Sequence, residues 1–351
     1  MAKFPHALMA LWALCTTGLL AQAAAADSLP GARTLQLSDA SPVVQSAIQT
    51  QLAGGTLNRI QQTEQMRKVL YEVDVTTKEG QSRSFTLSAN GTLQDIKVSL
   101  AETPAAVQQT INQRLNGGRV ESILKSFDDD DINYDVKTVA AGGPARQFTV
   151  EDSGRLASIE IALGEAPPDA QKTIKQQVAD GQLLSLEKEF DYDGTYFYGE
   201  VLRKDGQQRD FSVGLDGKLQ EAELDLSEAP VVVQAAINKH LSAARLESIE
   251  KSFDDEDGIT YDVYAVSKMG REWTFTVNPK GTLLSTEVTL DQIPEAVQKT
   301  IHERLGGGKV RDIEKSYVEK DGVLPYDIYA EKDGKEYNFS VGPLGRFLGM
   351  D

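Results

Sequence analysis

The stretch PVVVQAAINKHLSAARLESIEKSFDDEDGITYDVYAVSKMGREWTFTVNPKGTLLSTEVTL, residues 230–290, changes its hydrophobic period once, from helical to alternating. Pro230 suits a helix first turn, with Ser227 and Glu228 before it. Val233, Ala236, Ile237 and Leu241 then fall at helical spacing and form one apolar stripe. Strand patterns follow over Leu246–Phe253, Thr260–Val266, Arg271–Val277 and Leu283–Leu290, with turn residues between them. Alternation turns Tyr261, Val263, Ala265, Trp273, Phe275, Val277, Val288 and Leu290 toward the helix. It turns Asp262, Tyr264, Thr274, Thr276 and Glu287 the other way.

The pattern recurs along the chain. A Gln stands at Gln45, Gln108, Gln171, Gln234 and Gln298, each followed by Ile48, Ile111, Ile174, Ile237 or Ile301. A Phe recurs at Phe85, Phe148, Phe211, Phe275 and Phe339, and a Gly at Gly91, Gly154, Gly217, Gly281 and Gly345. A fixed period means one supersecondary unit used repeatedly. The sequence therefore predicts an α+β fold, tandem repeats of one helix plus a four-stranded antiparallel sheet. The expected boundaries are 27–100, 101–163, 164–226, 227–290 and 291–351, the last with a truncated fourth strand. Thr34–Leu37 reads as the tail of a fourth strand leading the first repeat. Such an orphan edge opens the way to oligomerisation through strand edges; a plain extension of the first sheet is the simpler reading.

Residues 1–26 read as a secretory signal: Lys3, the apolar run Ala7–Leu20, and the small residues Ala23–Ala26 before Asp27. The expectation is an exported protein, periplasmic or secreted, with no membrane insertion after signal removal. Cys15 is the sole cysteine, so the exported chain can form no internal disulfide. Without Lys3 there are 35 basic and 53 acidic residues, a net charge of −18. That balance argues against nucleic acid or an anionic membrane as partner.

The string Pro294-Glu295-Ala296-Val297-Gln298-Lys299-Thr300-Ile301, with Val310-Arg311-Asp312-Ile313-Glu314-Lys315, Tyr326-Asp327-Ile328-Tyr329 and Tyr337-Asn338-Phe339-Ser340-Val341, resembles the PepSY-like domain. That family is grouped with the beta-lactamase inhibitory protein fold. The resemblance spans about residues 35 to 351. It implies exported tandem units of a helix and four antiparallel strands, and a sheet that grips a partner protein. It implies no particular inhibitory residue, and five units without disulfides depart from that inhibitor.

No nucleophile–base pair, zinc motif or phosphate loop is present, which points away from an enzyme. His240 and His302 stand at different helix offsets and read as solvated positions. Two candidate sites remain. The acidic turns Asp128-Asp129-Asp130-Asp131, Asp191 with Asp193, and Asp254-Asp255 with Asp257 suit a hard cation such as calcium. They equally suit hairpin turns that bond their own backbone. The outward sheet face should display Tyr198, Tyr264 and Tyr329 with Glu221, Glu223 and Asp225. Tyrosines among carboxylates suit an exposed interface, although tyrosine is also a favoured strand residue. Lys125, Lys188, Lys251 and Lys315 are expected to pair across strands with the acidic turns or the second-strand Asp. The leading expectation is non-catalytic protein or peptide binding without a cofactor, with inhibition of a secreted hydrolase as its sharpest form. A calcium- or ligand-responsive envelope protein and a structural spacer are the alternatives.

Overall fold

The computed structural model describes residues 33–350 except 53, 66–67, 116, 129–130, 142–144, 192–193, 255–257, 269, 321 and 333–334, with backbone alone at 64, 65, 68, 128 and 254. The expected signal segment lies outside the described residues. Contacts divide the chain into two compact units, one of 33–165 with 187–195 and one of 166–186 with 196–350 among the described residues.

The first unit begins with β1 (Arg33–Leu35) and α1 (Pro42–Leu52). Strands β2 (Thr56–Gln65), β3 (Lys68–Thr76), β4 (Ser82–Ser88) and β5 (Leu93–Val98) follow. Then come α2 (Ala105–Arg114), β6 (Arg119–Asp128), β7 (Asp131–Val139), β8 (Arg146–Glu151), β9 (Leu156–Glu160) and the end of β10 (Gln182–Phe190). β1 sets Leu35 opposite Ile60, as β5 sets Val98 opposite Ile123. The leading fragment is thus a strand of Arg33–Leu35, and Leu37 already starts a 3-10 turn.

The second unit holds α3 (Pro168–Val178), the start of β10, β11 (Thr195–Leu202), β12 (Gln208–Gly214), β13 (Leu219–Glu223) and α4 (Val231–Leu241). β14 (Arg245–Asp254), β15 (Gly258–Val266), β16 (Glu272–Val277), β17 (Leu283–Glu287) and α5 (Glu295–Leu305) come next. β18 (Lys309–Ser316), β19 (Tyr326–Lys332), β20 (Lys335–Glu336), β21 (Phe339–Val341) and β22 (Phe347–Met350) complete it.

The expected fold class is corrected here. The repeats do not carry separate four-stranded sheets; within each unit the strands of successive repeats join in one antiparallel sheet, with five α-helices in all among the described residues. Within the first unit β5 pairs with β6, setting Asp95 opposite Ser126. Within the second, β13 pairs with β14 and β17 with β18. The reason is that no helix-plus-four-strand segment closes its own core. Val98 packs against the core around Ile48 and against the core around Ile111. Leu224 and Leu226 pack against the α4 core, and Val288 against the α5 core. Sixty-odd residues bury too little surface alone, so each core borrows the tail of the preceding strand. The expected fourth strand to Leu290 is shortened for the same reason. β17 ends at Glu287, and Leu290 opens a 3-10 turn with 46% of its surface exposed.

Local chemistry explains the recurring residues. The repeat Phe and Ile side chains are core: Phe85, Phe148, Phe211, Phe275 and Phe339 are all buried, as are the five Ile residues. Each such Phe contributes about 2–3 kcal/mol of transfer free energy. The repeat Gln joins turn to helix. The Nε2 groups of Gln45, Gln108, Gln234 and Gln298 donate to the carbonyls of Ala40, Thr103, Ala229 and Ile293 at 2.7–2.9 Å. Gly154 has φ +87°, and a Cβ there would lie 2.7 Å from the Cβ of Ala106. The hairpin thus presses its backbone onto the first turn of α2, where Thr110 Oγ1 donates to the Gly154 carbonyl at 2.7 Å. Thr173 and Thr300 make the same bond to Gly217 and Gly345 at 2.6 Å.

The recurring lysines do something the sequence did not suggest. Lys125, Lys188, Lys251 and Lys315 lie over the rings of Phe127, Phe190, Phe253 and Tyr317, two residues on, at 4.5–5.1 Å from the centroids. These are cation–π contacts to the residue two positions on; most of the acidic turns expected as partners lie outside the described residues. His240 is also less solvated than expected, 5.9 Å from the Phe275 ring. No helix among the described residues is long and apolar enough to cross a membrane.

Candidate binding face

The helices pack on the side of the sheet that carries the repeat Phe. The opposite side carries the candidate site. Strand register lines its residues up across the second unit: Glu223 lies opposite Glu250, Glu250 opposite Asp262, and Asp262 opposite Thr276. A second line reads Glu287, Glu314, Asp327, Ser340 in the same manner. In the first unit Glu160 lies opposite Glu187, and Asp135 opposite Thr149. Like charges directly opposite on neighbouring strands repel, so each line needs compensation.

Three kinds of compensation are present. Hydroxyls solvate the central Asp residues. Ser252 donates to Asp262 at 2.9 Å and Thr276 donates to it at 2.7 Å. Thr149 and Ser340 likewise donate to Asp135 and Asp327, at 2.7 and 2.5 Å. Arginines neutralise some outer members: Arg209 pairs with Glu223 at 3.5 Å and with Asp225, and Arg271 with Glu287 at 3.6 Å. At Glu250 a retained proton does the rest. Burial, then the neighbouring Glu221 and Asp262 carboxylates, push Glu250 far above the ordinary carboxylate range, and its carboxyl hydrogen-bonds Glu221. Burial also raises Glu314, Glu287, Glu223 and Asp135. Asp95 and Asp210 are each pushed up to about 6, mainly by burial and then, among the raising influences, by nearby carboxylates. Unpaired carboxylates in low dielectric favour the neutral form.

The sequence-expected residues fall as follows. Glu221, Glu223 and Asp225 are on this side, half-buried. Ser212 donates to Glu221 at 3.4 Å, while Glu223 and Asp225 are tied to Arg209. The tyrosines are corrected from exposed to half-buried. The Tyr198 hydroxyl oxygen is buried near the Asp210 carboxylate. Tyr329 donates to Glu314 at 3.4 Å. Burial, then Glu250 and Asp262, holds the Tyr264 phenol well above its usual range. The three tyrosines are thus half-buried parts of the carboxylate lines. Sequence reading missed Arg209, Glu250, Asp262 and Glu314. The alternation put Asp262 on this face, but only the register shows that it meets Glu250.

The acidic turns are mostly beyond description. Asp129, Asp130, Asp193, Asp255 and Asp257 lie outside the described residues, as do the side chains of Asp128 and Asp254. Asp131 and Asp191 are exposed. Among the described residues no three His, Cys, Asp or Glu side chains are arranged to hold a metal ion.

No family model matches the chain, and no curated protein matches it. Solved structures give partial likenesses. A proposed periplasmic protein of unknown function from Bacteroides vulgatus is 22% identical, covering 37% of this chain and 98% of its own, with a TM-score of 0.26. A DUF2874 family protein from Bacteroides ovatus is 19% identical over 35% of this chain and 86% of its own, with a TM-score of 0.28. A proposed calcium-regulated periplasmic protein from Bacteroides thetaiotaomicron is 18% identical over 37% and 96%, with a TM-score of 0.25. Likenesses of this extent assign neither fold nor activity to the chain.

Proposed function

We propose that this is an exported, non-catalytic binding protein whose helix-free sheet face takes a basic segment of a partner protein. The observation that carries the reading is the Glu223–Glu250–Asp262 line, three carboxylates directly opposite one another on consecutive strands. An incoming ammonium or guanidinium group takes the place of the proton held on Glu250 and forms a charge-assisted hydrogen bond with the carboxylate it uncovers. Export is supported by the leader-like residues 1–26. The PepSY-like resemblance fits a sheet that meets a protein partner.

The test is isothermal titration calorimetry with an oligolysine peptide near neutral pH, and an oligoglutamate control. The expected result is saturable heat with oligolysine alone. That heat should vary with the ionisation enthalpy of the buffer, because protons leave. A Glu250→Gln variant should bind with proton release reduced. Absence of saturable heat, or proton release unchanged in the variant, removes the reading.

A further inference from the structure

Among the described residues one Asn-Gly pair is complete, Asn90-Gly91, in the turn between β4 and β5. Asn90 is exposed. Its Oδ1 accepts from the Thr92 N–H at 3.0 Å and from the Ser88 hydroxyl. The Gly91 N–H donates to the Ser88 carbonyl at 2.9 Å. The closed turn thus engages both groups that can react with each other, the Asn90 amide and the Gly91 nitrogen.

Every repeat has this turn, so its hold on the helix can be compared from copy to copy. Thr110, Thr173 and Thr300 donate to the carbonyls of Gly154, Gly217 and Gly345 at 2.6–2.7 Å. The corresponding residue of α1 is Ala47, two positions after the repeat Gln, and it has no hydroxyl to give. The fit is looser as well. A Cβ at Gly91 would meet nothing nearer than the Val43 carbonyl oxygen at 3.1 Å, whereas at Gly154, Gly217, Gly281 and Gly345 it would meet an atom at 2.5–2.7 Å. The Asn-Gly pair therefore occupies the turn held least firmly by its helix. Exposed segments with few tertiary bonds open first.

We infer that Asn90 is a deamidation site, reached when the β4–β5 turn opens. In the open turn the Gly91 nitrogen attacks Cγ of Asn90. The N–Cγ bond forms, the Cγ–Nδ2 bond breaks, and ammonia leaves with the proton given up by the Gly91 nitrogen. Water then opens the cyclic imide at either carbonyl, leaving aspartate or isoaspartate. Glycine after the Asn has no Cβ to obstruct the attack. The aspartate product fits the closed turn, because Asp216 fills the same place in the third repeat and accepts from the Lys218 N–H at 3.0 Å. Isoaspartate routes the main chain through a side-chain carbon and lengthens the turn.

Peptide mapping by mass spectrometry tests this on the full purified chain. The chain is aged at mildly alkaline pH below its melting temperature, beside the same chain unfolded in guanidinium chloride. The Asn90 peptide of the folded chain should exchange its amide NH2 for OH, more slowly than in the unfolded chain. Ala47→Thr supplies the missing hydroxyl and should slow the folded-state conversion about 2- to 10-fold, the effect of one net hydrogen bond. If that variant does not fold, Thr173→Ala decides the same point. It releases the Asp216-Gly217 turn and should speed isoaspartate formation there by a similar factor. Asn90 that stays intact in the folded chain while the unfolded chain converts, or equal rates in the two, overturns the inference. So does a folded Ala47→Thr variant that converts as fast as the unsubstituted chain, or a Thr173→Ala variant with no gain in rate.

Discussion

Glu223 and Glu250 stand directly opposite each other on neighbouring antiparallel strands, twenty-seven positions apart in the chain. The strand junction itself does not demand this pair. At the corresponding place between β5 and β6 the opposed residues are Lys97 and Leu124. The acid pair recurs at two further junctions, Glu160 with Glu187 and Glu287 with Glu314, so it is common to three junctions without being required by the backbone plan. Arg209 lies on the Glu223 side, while Glu250 keeps a proton with Glu221.

Stability should rise on mild acidification. The folded protein holds Asp95 and Asp210 at about 6, above their ordinary 3.8. The folded state then binds more protons than the unfolded state between about 4 and 6. Their favourable contribution is fully present below the unfolded value and is lost as pH rises through about 6. Each is worth on the order of 1–3 kcal/mol. Thermal unfolding should give a higher Tm at pH about 5 than at pH about 8; a Tm that climbs with pH over this span contradicts the assignment.

Arg209 should matter more than its exposed counterpart Arg203. The Arg209 side chain is 11% exposed between Glu223 and Asp225, whereas Arg203 is 41% exposed beside Glu228. Arg209→Met leaves two carboxylates without their cation and should cost about 2–4 kcal/mol. Arg203→Met should cost about 1 kcal/mol or less. Urea unfolding of the two variants at neutral pH decides the order.

Gly154→Ala and Gly206→Ala separate two demands on glycine. Both have positive φ, +87° and +84°, but only at Gly154 does an added Cβ meet a neighbour, Ala106, at 2.7 Å. Gly206→Ala should cost about 1 kcal/mol from backbone conformation alone. Gly154→Ala should cost at least about 1 kcal/mol more, because α2 must move away from the hairpin. Equal losses in chemical denaturation would show that the hairpin does not press on the helix.

Gln108→Ala should expose the worth of the recurring side-chain bond. Its Nε2 donates to the Thr103 carbonyl at 2.7 Å, and Thr103 is buried. Leaving that carbonyl without its donor should cost about 1–3 kcal/mol. Gln176→Ala, an exposed position of α3, should cost under about 0.5 kcal/mol. The two melting curves provide the comparison.

Short-range signals in the sequence determined where helices and strands lie. The stripe Val233, Ala236, Ile237, Leu241 is the buried side of α4, and Tyr261, Val263 and Ala265 are buried along β15. Such patterns are legible because periods of 3.6 and 2 are set by backbone geometry within a few residues. The recurrent Gly announced a positive-φ turn, though not its contact with the helix. The joining of successive repeats into one sheet was decided only in three dimensions. It depends on where β13 and β17 dock after a helix intervenes, and on cores that share Val98. The same long-range register brought Glu250 to Glu223 and Asp262, and covered tyrosines that alternation alone would leave exposed. Charge repulsion and burial act through space, so no period along the chain records them.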